Sequence, residues 1–523
     1  ELRELASVDV PLAALLGGVF DAALRCSAPI ERLGYSHFKP QQHGPMTAAT
    51  STSASQGDAT PRSDPHEAHN EPSDGCSTFL SVRMTLRPVL PLPDRPPLSP
   101  PSTAADNELV VTASQWAERL QRQLPGRGFD AVVARVVGFQ SGHCAVLPQL
   151  LAALPPPPAI ATVAGLLRFV HLLPLRCDWL GAPDQAEAPE DPVAGTWVAP
   201  QLCLDVGAAG RRDLALLLAC LLLWLDQHGD EGCDTFLVLG RGVATDGDAT
   251  QPNAFVLRQP KDRRRGLGTL YDAAEGAAYA VTGEQSPLRD AWLAISAREA
   301  FANVQPPNAH VDWAIQGNAS RWTPMLGKTP PRMPSLLPRE LRYAATPPDD
   351  ELAAVERELR EAVKLAVRRW RATFATTVFN EGASLRLRAR LETLERRARG
   401  EAEPKDEAAK AREGDAVNLI RSLERDKGVA GAPLHFALTD AAHVVERVKQ
   451  TVRGSRLAVL GDAGVVRGFD GWYWYMCVCV RGQNVHATDR AGVEFLLAIH
   501  ASGYPGALLS VWVYLAAAWP RDG

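Results

Sequence analysis

The chain has 523 residues, which is enough for three or four domains of ordinary size. With 46% hydrophobic and 22% charged residues, its composition is that of a globular protein and excludes a disordered chain. The formal net charge is -5, and the densest basic run, Lys261–Arg265, is interpreted as a solvated loop. Because phosphate backbones need clustered positive charge, we expect no nucleic acid as a partner.

The cysteines and the apolar runs exclude two further classes. None of the nine cysteines has Cys-x2-Cys spacing, and Cys477 and Cys479 lack a second pair or nearby histidines, so we predict no metal and no cofactor. The longest apolar run, Leu214–Leu225, would span roughly 18 Å as a helix, so no transmembrane segment is predicted. The chain begins at Glu1 without a leader, and we expect an intracellular protein whose true N-terminus is missing.

Residues 1–98 contain one clear strand signal. Ser, Thr, Ala, Gly, Pro, Asp and His dominate the tract from about 40 to 75, which we predict to be a disordered insertion. Polar and apolar residues alternate in Phe79–Arg87, which predicts a half-buried strand. The prolines between Pro88 and Pro101 then predict a stiff, extended linker.

Residues 99–158 are predicted as a linker and a small helix-strand unit. Gln115–Gln121 has a helical pattern, and Asp130–Val137 has the pattern of a strand. The four prolines of Pro155–Pro158 end the unit.

Residues 159–335 are predicted as an α+β domain. The domain begins with an amphipathic helix, Val163–His171, and continues with Leu214–Leu225, which is apolar on all sides and therefore predicted as a buried core helix. Strands are predicted at Thr235–Leu239, Ala254–Leu257 and Asp290–Ile295. Helices first and closely spaced strands after them favour α+β over alternating βαβ units.

Residues 336–430 are predicted as a proline-rich linker followed by charged helices. One stripe of apolar residues recurs every three or four positions: Leu352, Val355, Leu359, Val363, Val367, Trp370 and Phe374. Such a stripe packs inside the molecule or, as the less favoured alternative, against a coiled-coil partner. The same spacing of apolar residues continues in Leu387, Leu391 and Leu394. Arg396–Glu413, in contrast, is expected to be too polar to be buried.

Residues 431–523 are predicted as a C-terminal α+β domain. A helical pattern in Asp440–Val452 precedes two strands, Trp472–Val480 and Leu508–Leu515. Both strands are apolar on both faces, which predicts central positions in a covered sheet. Over the whole chain the predicted fold class is therefore α+β multidomain.

Four places in the sequence together resemble one family, the C2 and transglutaminase-like centrosomal proteins of the seventy-six-kilodalton type. They are Gln115–Trp116 with Phe139–Pro148, Leu166–Leu173, Asn303–Pro306 with Trp313 and Ser320–Pro324, and Pro433–Phe436 with the closing aromatic strands. The resemblance implies a remnant C2-type β-sandwich that ends in the Phe79–Arg87 strand, and a transglutaminase-like (papain-like) domain at 159–335. No calcium loop is identified in the C2-like region.

The resemblance also implies where a catalytic triad would lie. Where active members have Gly-Asp-Cys before the core helix, this chain has Arg211 after Ala-Gly, and where they have His-Ala-Trp it has Asn253 before Ala-Phe; the acid is retained as Asp272. Arginine stays protonated and is no nucleophile, and asparagine cannot relay a proton near neutral pH. The triad positions Arg211, Asn253 and Asp272 are therefore degenerate, and no catalysis is expected.

Two cysteines lie close enough in the sequence to be considered as replacements. Cys220 is inside the core helix, where a buried thiol is inert, and Cys203 precedes that helix. Without a nucleophile, we expect one of two arrangements at the degenerate site. Arg211 and Asp272 form an ion pair that fills it, or the groove binds an extended peptide.

The family resemblance implies a non-enzymatic scaffold of the centriole or ciliary basal body, with a role in centriole duplication or cilium assembly. Its expected partners are other centriolar or ciliary proteins, and its expected place is the cytoplasm and cytoskeleton, at the centrosome or basal body. Two alternatives stay open: an axonemal or transition-zone structural protein, and an active cysteine protease or transglutaminase.

Overall fold

The structure is a computed structural model in which the chain divides into two compact units, Glu1–Pro96 and Pro97–Gly523. The described residues are 19–25, 79–85, 104–137, 143–175, 196–229, 232–243, 250–262, 264, 266–283, 285–306, 311–327, 333–371, 377–401, 406–437, 444–445, 448 and 492–520.

In the first unit two strands pair. Strand β1 (Val19–Arg25) lies antiparallel to β2 (Phe79–Thr85), with Arg25 opposite Phe79. The strand predicted at Phe79–Arg87 is therefore confirmed over Phe79–Thr85, and its last two residues lie outside the described residues. The β-sandwich stays a prediction, and the tract from about 40 to 75 and the prolines from Pro88 onward lie outside the described residues.

The second unit contains the remaining elements. Its helices are α1 (Ala104–Gln123), α2 (Val163–His171), α3 (Pro200–Val206), α4 (Arg211–His228), α5 (Asp349–Trp370), α6 (Glu381–Ala398) and α7 (Glu407–Asp426). Its strands are β3 (Val133–Val137), β4 (His143–Val146), β5 (Thr196–Val198), β6 (Cys233–Val243), β7 (Thr250–Pro260), β8 (Thr269–Asp272), β9 (Ala277–Ala280), β10 (Leu288–Ile295), β11 (Ala300–Asn303), β12 (Trp322–Pro324), β13 (Val378–Phe379), β14 (Lys427–Ala437), β15 (Glu494–Tyr504) and β16 (Leu508–Pro520).

A seven-stranded antiparallel sheet, in the order β12-β11-β10-β6-β7-β8-β9, carries helix α4 on one face. Side chains alternate along β6, so that Leu237 and Leu239 pack in the same core as α4 while Phe236 and Val238 belong to an apolar cluster of the other face. Helix α4 is buried without interruption over Leu214–Leu222, and the prediction of a core helix is confirmed.

The smaller β4-β3-β5 sheet and helix α1 share that core. The strand predicted at Asp130–Val137 is wrong at its beginning, because Phe129–Val132 forms a 3-10 turn and β3 starts at Val133. Phe129 and Val132 are the buried residues of this turn, and a spacing of three is the period of a 3-10 helix and not of a strand.

The C-terminal sheet has the order β13-β15-β16-β14 and is covered on both faces. Helix α5 packs Leu359 and Val363 on one face, and α6 packs Leu387 and Leu391 on the other. From Leu352 to Trp370, where α5 ends, the apolar stripe thus packs within the molecule, as favoured, while Phe374 lies outside the described residues. The central position predicted for Leu508–Leu515 is confirmed, since β16 lies between β15 and β14.

In its described residues the polar stretch Arg396–Glu413 is mostly exposed or half-buried, as expected. Ala398 is buried, and Glu413 forms an ion pair with Arg390 at 2.8 Å. The strand predicted at Trp472–Val480 lies outside the described residues, as does Asp440–Val452 except at three positions. Among the helices that the structure describes, none is long and apolar enough to cross a membrane. The inner domain boundaries, at 158/159, 335/336 and 430/431, stay predictions.

Candidate functional site

The first turn of helix α4 places Arg211 at the edge of the core. The carboxylate of Asp213 accepts hydrogen bonds from the backbone N–H of Gly210 at 3.2 Å and from that of Val198 at 2.8 Å. An acidic side chain in the first turn also complements the helix dipole. Asp213 therefore ties the start of the helix to β5, and Arg211 is the first helical residue.

Asn253 lies on β7 opposite Gly240 of β6. A Cβ atom at Gly240 would come within 2.2 Å of the Asp290 carbonyl oxygen, so the two strands and β10 meet here with no room for a side chain. The Asn253 side-chain oxygen accepts from the N–H of Ala254 at 2.8 Å. This hydrogen bond stays within the strand and does not join Asn253 to Arg211 or to Asp272.

Asp272 ends β8 and is buried, with 4% of its surface exposed. Its Oδ1 atom accepts from the N–H groups of Ala274 and Glu275, each at 3.1 Å. Burial, and secondarily the neighbouring carboxylate of Glu275, raises the pKa of Asp272 to about 6, although these hydrogen bonds and the charge of Arg211 act in the opposite direction.

The prediction of an ion pair between Arg211 and Asp272 is wrong, because the acidic partner of Arg211 is Glu275. The Nη2 atom of Arg211 lies 2.8 Å from Oε1 of Glu275, three residues beyond Asp272. The reason is that Asp272 turns an oxygen to its own backbone, while Glu275 reaches out of the same turn toward the half-exposed guanidinium. The structure thus brings two of the three triad positions to one place and fills that place with an ion pair that the sequence analysis missed.

The two alternative cysteines are both fully buried. Burial raises the pKa of the Cys220 thiol to about 12, and its Sγ atom lies 3.5 Å from the carbonyl oxygen of Leu150. The Sγ atom of Cys203 lies 3.9 Å from the Val198 carbonyl oxygen. Because the thiolate is the reactive form, neither side chain is placed to act as a nucleophile.

A second polar cluster lies deeper and joins segments far apart in the sequence. Arg168 of α2, 5% exposed, donates from Nη2 to Oε2 of Glu395 of α6, 2% exposed, at 2.8 Å. The same carboxylate accepts from Ser510 Oγ at 2.8 Å, from Trp512 Nε1 at 2.7 Å and from Tyr504 Oη at 2.6 Å. Burial disfavours the charge of Glu395, but Arg168 and these donors outweigh it and hold its pKa well below the usual range.

This cluster contains a serine, a histidine and a glutamate. Its hydrogen bonds, however, are donated in the opposite direction to those of a nucleophilic triad. Arg168 Nη1 can only donate, so the Nδ1 atom of His435, 3.2 Å away, is the acceptor. The proton of the neutral ring is then on Nε2, which donates to Ser510 Oγ at 3.0 Å. Ser510 in turn donates to Glu395, so the histidine takes no proton from the serine.

Burial, with the charge of Arg168, keeps the pKa of His435 well below its usual value and the ring neutral. The sequence signal for this cluster was a charged residue on an apolar stripe: Arg168 between Leu167 and Phe169, and Glu395 next to Leu394. Such a residue is almost never buried unless it is paired, but one sequence does not show with what.

Comparison with known proteins relates this part of the chain to a known family. Residues 195–325 match the family model described as the CEP76 peptidase-like domain. Residues 195–325 thus resemble a CEP76 peptidase-like domain. This range includes Arg211, Asn253 and Asp272, the three positions predicted to be degenerate, and the resemblance to this family is confirmed.

Two longer proteins are similar to most of the chain. Protein CC2D2B of Homo sapiens is 22% identical over 466 residues, which cover 86% of this chain and 27% of that protein. Coiled-coil and C2 domain-containing protein 2A of Drosophila melanogaster is 24% identical over 416 residues, which cover 77% of this chain and 26% of that protein. The chain spans about a quarter of the length of these curated relatives.

Within the described part of the peptidase-like domain and the rest of the described chain, no three His, Cys, Asp or Glu side chains are grouped as metal ligands. Cys477 and Cys479 lie outside that part. The candidate site thus consists of the Arg211–Glu275 ion pair at the start of α4. The buried polar cluster around Arg168 and Glu395 connects α2, α6 and the C-terminal sheet.

Proposed function

We propose that this protein is a non-enzymatic scaffold of the centriole or ciliary basal body, which acts by binding other centriolar or ciliary proteins. The observation that carries the non-enzymatic part is Arg211, which occupies the nucleophile position and is ion-paired with Glu275 at 2.8 Å. A permanently protonated side chain held there supplies no nucleophile, and Asn253 at the predicted histidine position leaves Asp272 no imidazole to orient.

The cellular place is supported at a coarse level by the CEP76 peptidase-like domain and by two C2-domain relatives that match most of the chain. They favour the centrosome or the base of the cilium within the cytoskeleton. The finer role that we propose is the regulation of centriole duplication or cilium assembly.

Imaging of the tagged full-length protein in ciliated cells tests the place. We expect a focus that coincides with a centriole-wall marker in dividing cells and stays at the basal body in ciliated ones. The variant Leu385→Ala, at a leucine with 71% of its surface exposed, is a matched control that should localise like the natural chain. A diffuse signal, or a focus elsewhere, contradicts the proposal.

A thiol-reactive activity probe tests the absence of catalysis. Cys144 is exposed, so its labelling rate provides the internal reference. We expect no other cysteine of the native protein to be labelled faster than Cys144, and buried Cys203 and Cys220 to react only after denaturation. Rapid native labelling of either buried cysteine, lost on denaturation, would overturn the non-enzymatic assignment.

The second candidate is an axonemal or transition-zone structural protein. The observation that favours it is the extent of the similarity to the C2-domain relatives, which reaches 86% of the chain and goes well beyond residues 195–325. In super-resolution images this candidate predicts a ring at the distal end of the basal body or a signal along the axoneme, instead of a signal on the centriole wall.

A further inference from the structure

Helix α2 lies between the peptidase-like domain and the C-terminal sheet, and its first turn contacts the end of α6. The hydroxyl of Thr162 donates a hydrogen bond to the carbonyl oxygen of Arg399. A Cβ atom at Gly165 would be 3.1 Å from the same oxygen, so this close approach of the two backbones leaves little room for a side chain. The beginning of α2 and the end of α6 are thus joined directly.

The middle of α2 is held by the buried cluster around Arg168. This side chain contacts Glu395 of α6, His435 of β14 and Ser510 of β16 at 2.8, 3.2 and 3.1 Å. Any shift of α2 along its axis therefore lengthens buried charged or polar contacts. Such a shift is costly in a low-dielectric interior, so the cluster holds α2 firmly against α6 and the C-terminal sheet.

The last residue of α2, His171, contacts the turn that carries the degenerate site. Its Nδ1 atom donates to the carbonyl oxygen of Ala274 at 2.8 Å, and its ring centroid lies 6.5 Å from that of His435. Gly276 also packs against this ring, since a Cβ atom there would be only 2.7 Å from Cγ of His171. The half-buried imidazole therefore contacts the turn 272–276 and neighbours His435 of the C-terminal sheet.

The far side of the same turn is fixed to the head of α4. Asp272 closes the turn by accepting from two of its N–H groups, and Glu275 is paired with Arg211 at 2.8 Å. Contacts thus run from Arg211 through the turn to His171, whose ring neighbours that of His435 in the C-terminal sheet.

We propose that the turn 272–276 and the C-terminal sheet form one conformational device, in which His171 transmits a change at the Arg211–Glu275 pair to the docking of the sheet on the peptidase-like domain. The two-state element is the local opening of the C-terminal sheet, an equilibrium that both ends of α2 bias. The inference holds whether or not the protein is a centriolar scaffold, because it uses no partner.

The test is amide hydrogen exchange of the full chain, read at β14 and β16, with β11 as an internal reference. The substitution Gly276→Ala places a methyl group against His171. We expect exchange in β14 and β16 to become about tenfold faster, within the usual range of coupling factors, while β11 changes much less. Gly207→Ala is the matched control, since Gly207 has φ +69 against φ +61 at Gly276 but nothing within 4 Å of its Cβ position.

The double variant His171→Ala/Gly276→Ala removes the ring that the new methyl group would strike. It should restore slow exchange in β14 and β16 relative to Gly276→Ala. If Gly276→Ala does not fold, Arg211→Ala is compared in the natural and His171→Ala backgrounds, and faster exchange of the C-terminal sheet is expected in the natural background only. Equal acceleration of β11 and β14, or acceleration limited to the turn and α2, overturns the proposal.

Discussion

At the scale of the residue, Asp272 and His435 are buried groups whose ionisation opposes folding in different pH ranges. The pKa of Asp272 is raised to about 6, chiefly by burial and then by Glu275, so the folded state prefers the neutral carboxyl. Between the ordinary carboxyl pKa and about 6, only the unfolded chain loses this proton, and stability therefore falls as pH rises. The pKa of His435 is lowered, so the folded protein keeps this ring neutral while the unfolded chain takes up a proton below the ordinary histidine pKa. Stability therefore falls as pH drops below that value.

The first prediction is that Asp272→Asn stabilises the protein at pH 7.5. The amide oxygen can still accept from Ala274 and Glu275, but no charge is buried, and the gain is at most roughly 3 kcal/mol from the size of the pKa shift. Thermal or denaturant unfolding should show the gain at pH 7.5 and its disappearance near pH 4. Asp262→Asn is the control, because Asp262 accepts in the same way from Arg264 on the surface. Identical stability of Asp272→Asn and the natural chain at every pH would contradict the burial argument.

At the scale of the element, helix α4 is the core helix that the sequence predicts, and its contribution to stability is testable. Leu217 is completely buried at its centre, so Leu217→Ala should lower the free energy of unfolding by about 2–5 kcal/mol through lost contacts and a cavity. Leu385→Ala, also a leucine on a helix but 71% exposed, should change it by less than about 0.5 kcal/mol. Similar melting temperatures for the two variants would mean that α4 is not the centre of the core.

The other elements show where sequence patterns succeed. Helix α2 was predicted to the residue because an apolar stripe follows Thr162, whose hydroxyl caps the helix by accepting from Gly165. Strands β6 and β7 are eleven residues each, longer than their predicted apolar centres, because their ends continue the same ladder beyond the continuous apolar run. The 3-10 turn at Phe129 was missed because apolar residues with a spacing of three lie directly before a true strand.

At the scale of the whole molecule, the sequence placed the degenerate site but not the contacts that fill it. Arg211 and Glu275 lie far apart in the chain, and Arg168 and Glu395 still further, so no spacing rule connects them. The family resemblance identified Arg211 because a sequence motif marks a particular position in the chain. Pairing depends on how α2, α6 and the C-terminal sheet dock, and that is decided by packing over the whole unit.

The last prediction tests that docking through its buried ion pair. Arg168→Met leaves Glu395 charged without its cation, and should cost about 3–5 kcal/mol of unfolding free energy. Without the cation the pKa of Glu395 rises, so the folded state gains from protonation and the loss should be larger at pH 8 than at pH 5. Adding Glu395→Gln removes the stranded charge, and the double variant should therefore be less destabilised than the sum of the single ones when measured by denaturant unfolding. Strictly additive losses, independent of pH, would show that Arg168 and Glu395 stabilise the molecule separately and that the pair does not fix the C-terminal sheet to the peptidase-like domain.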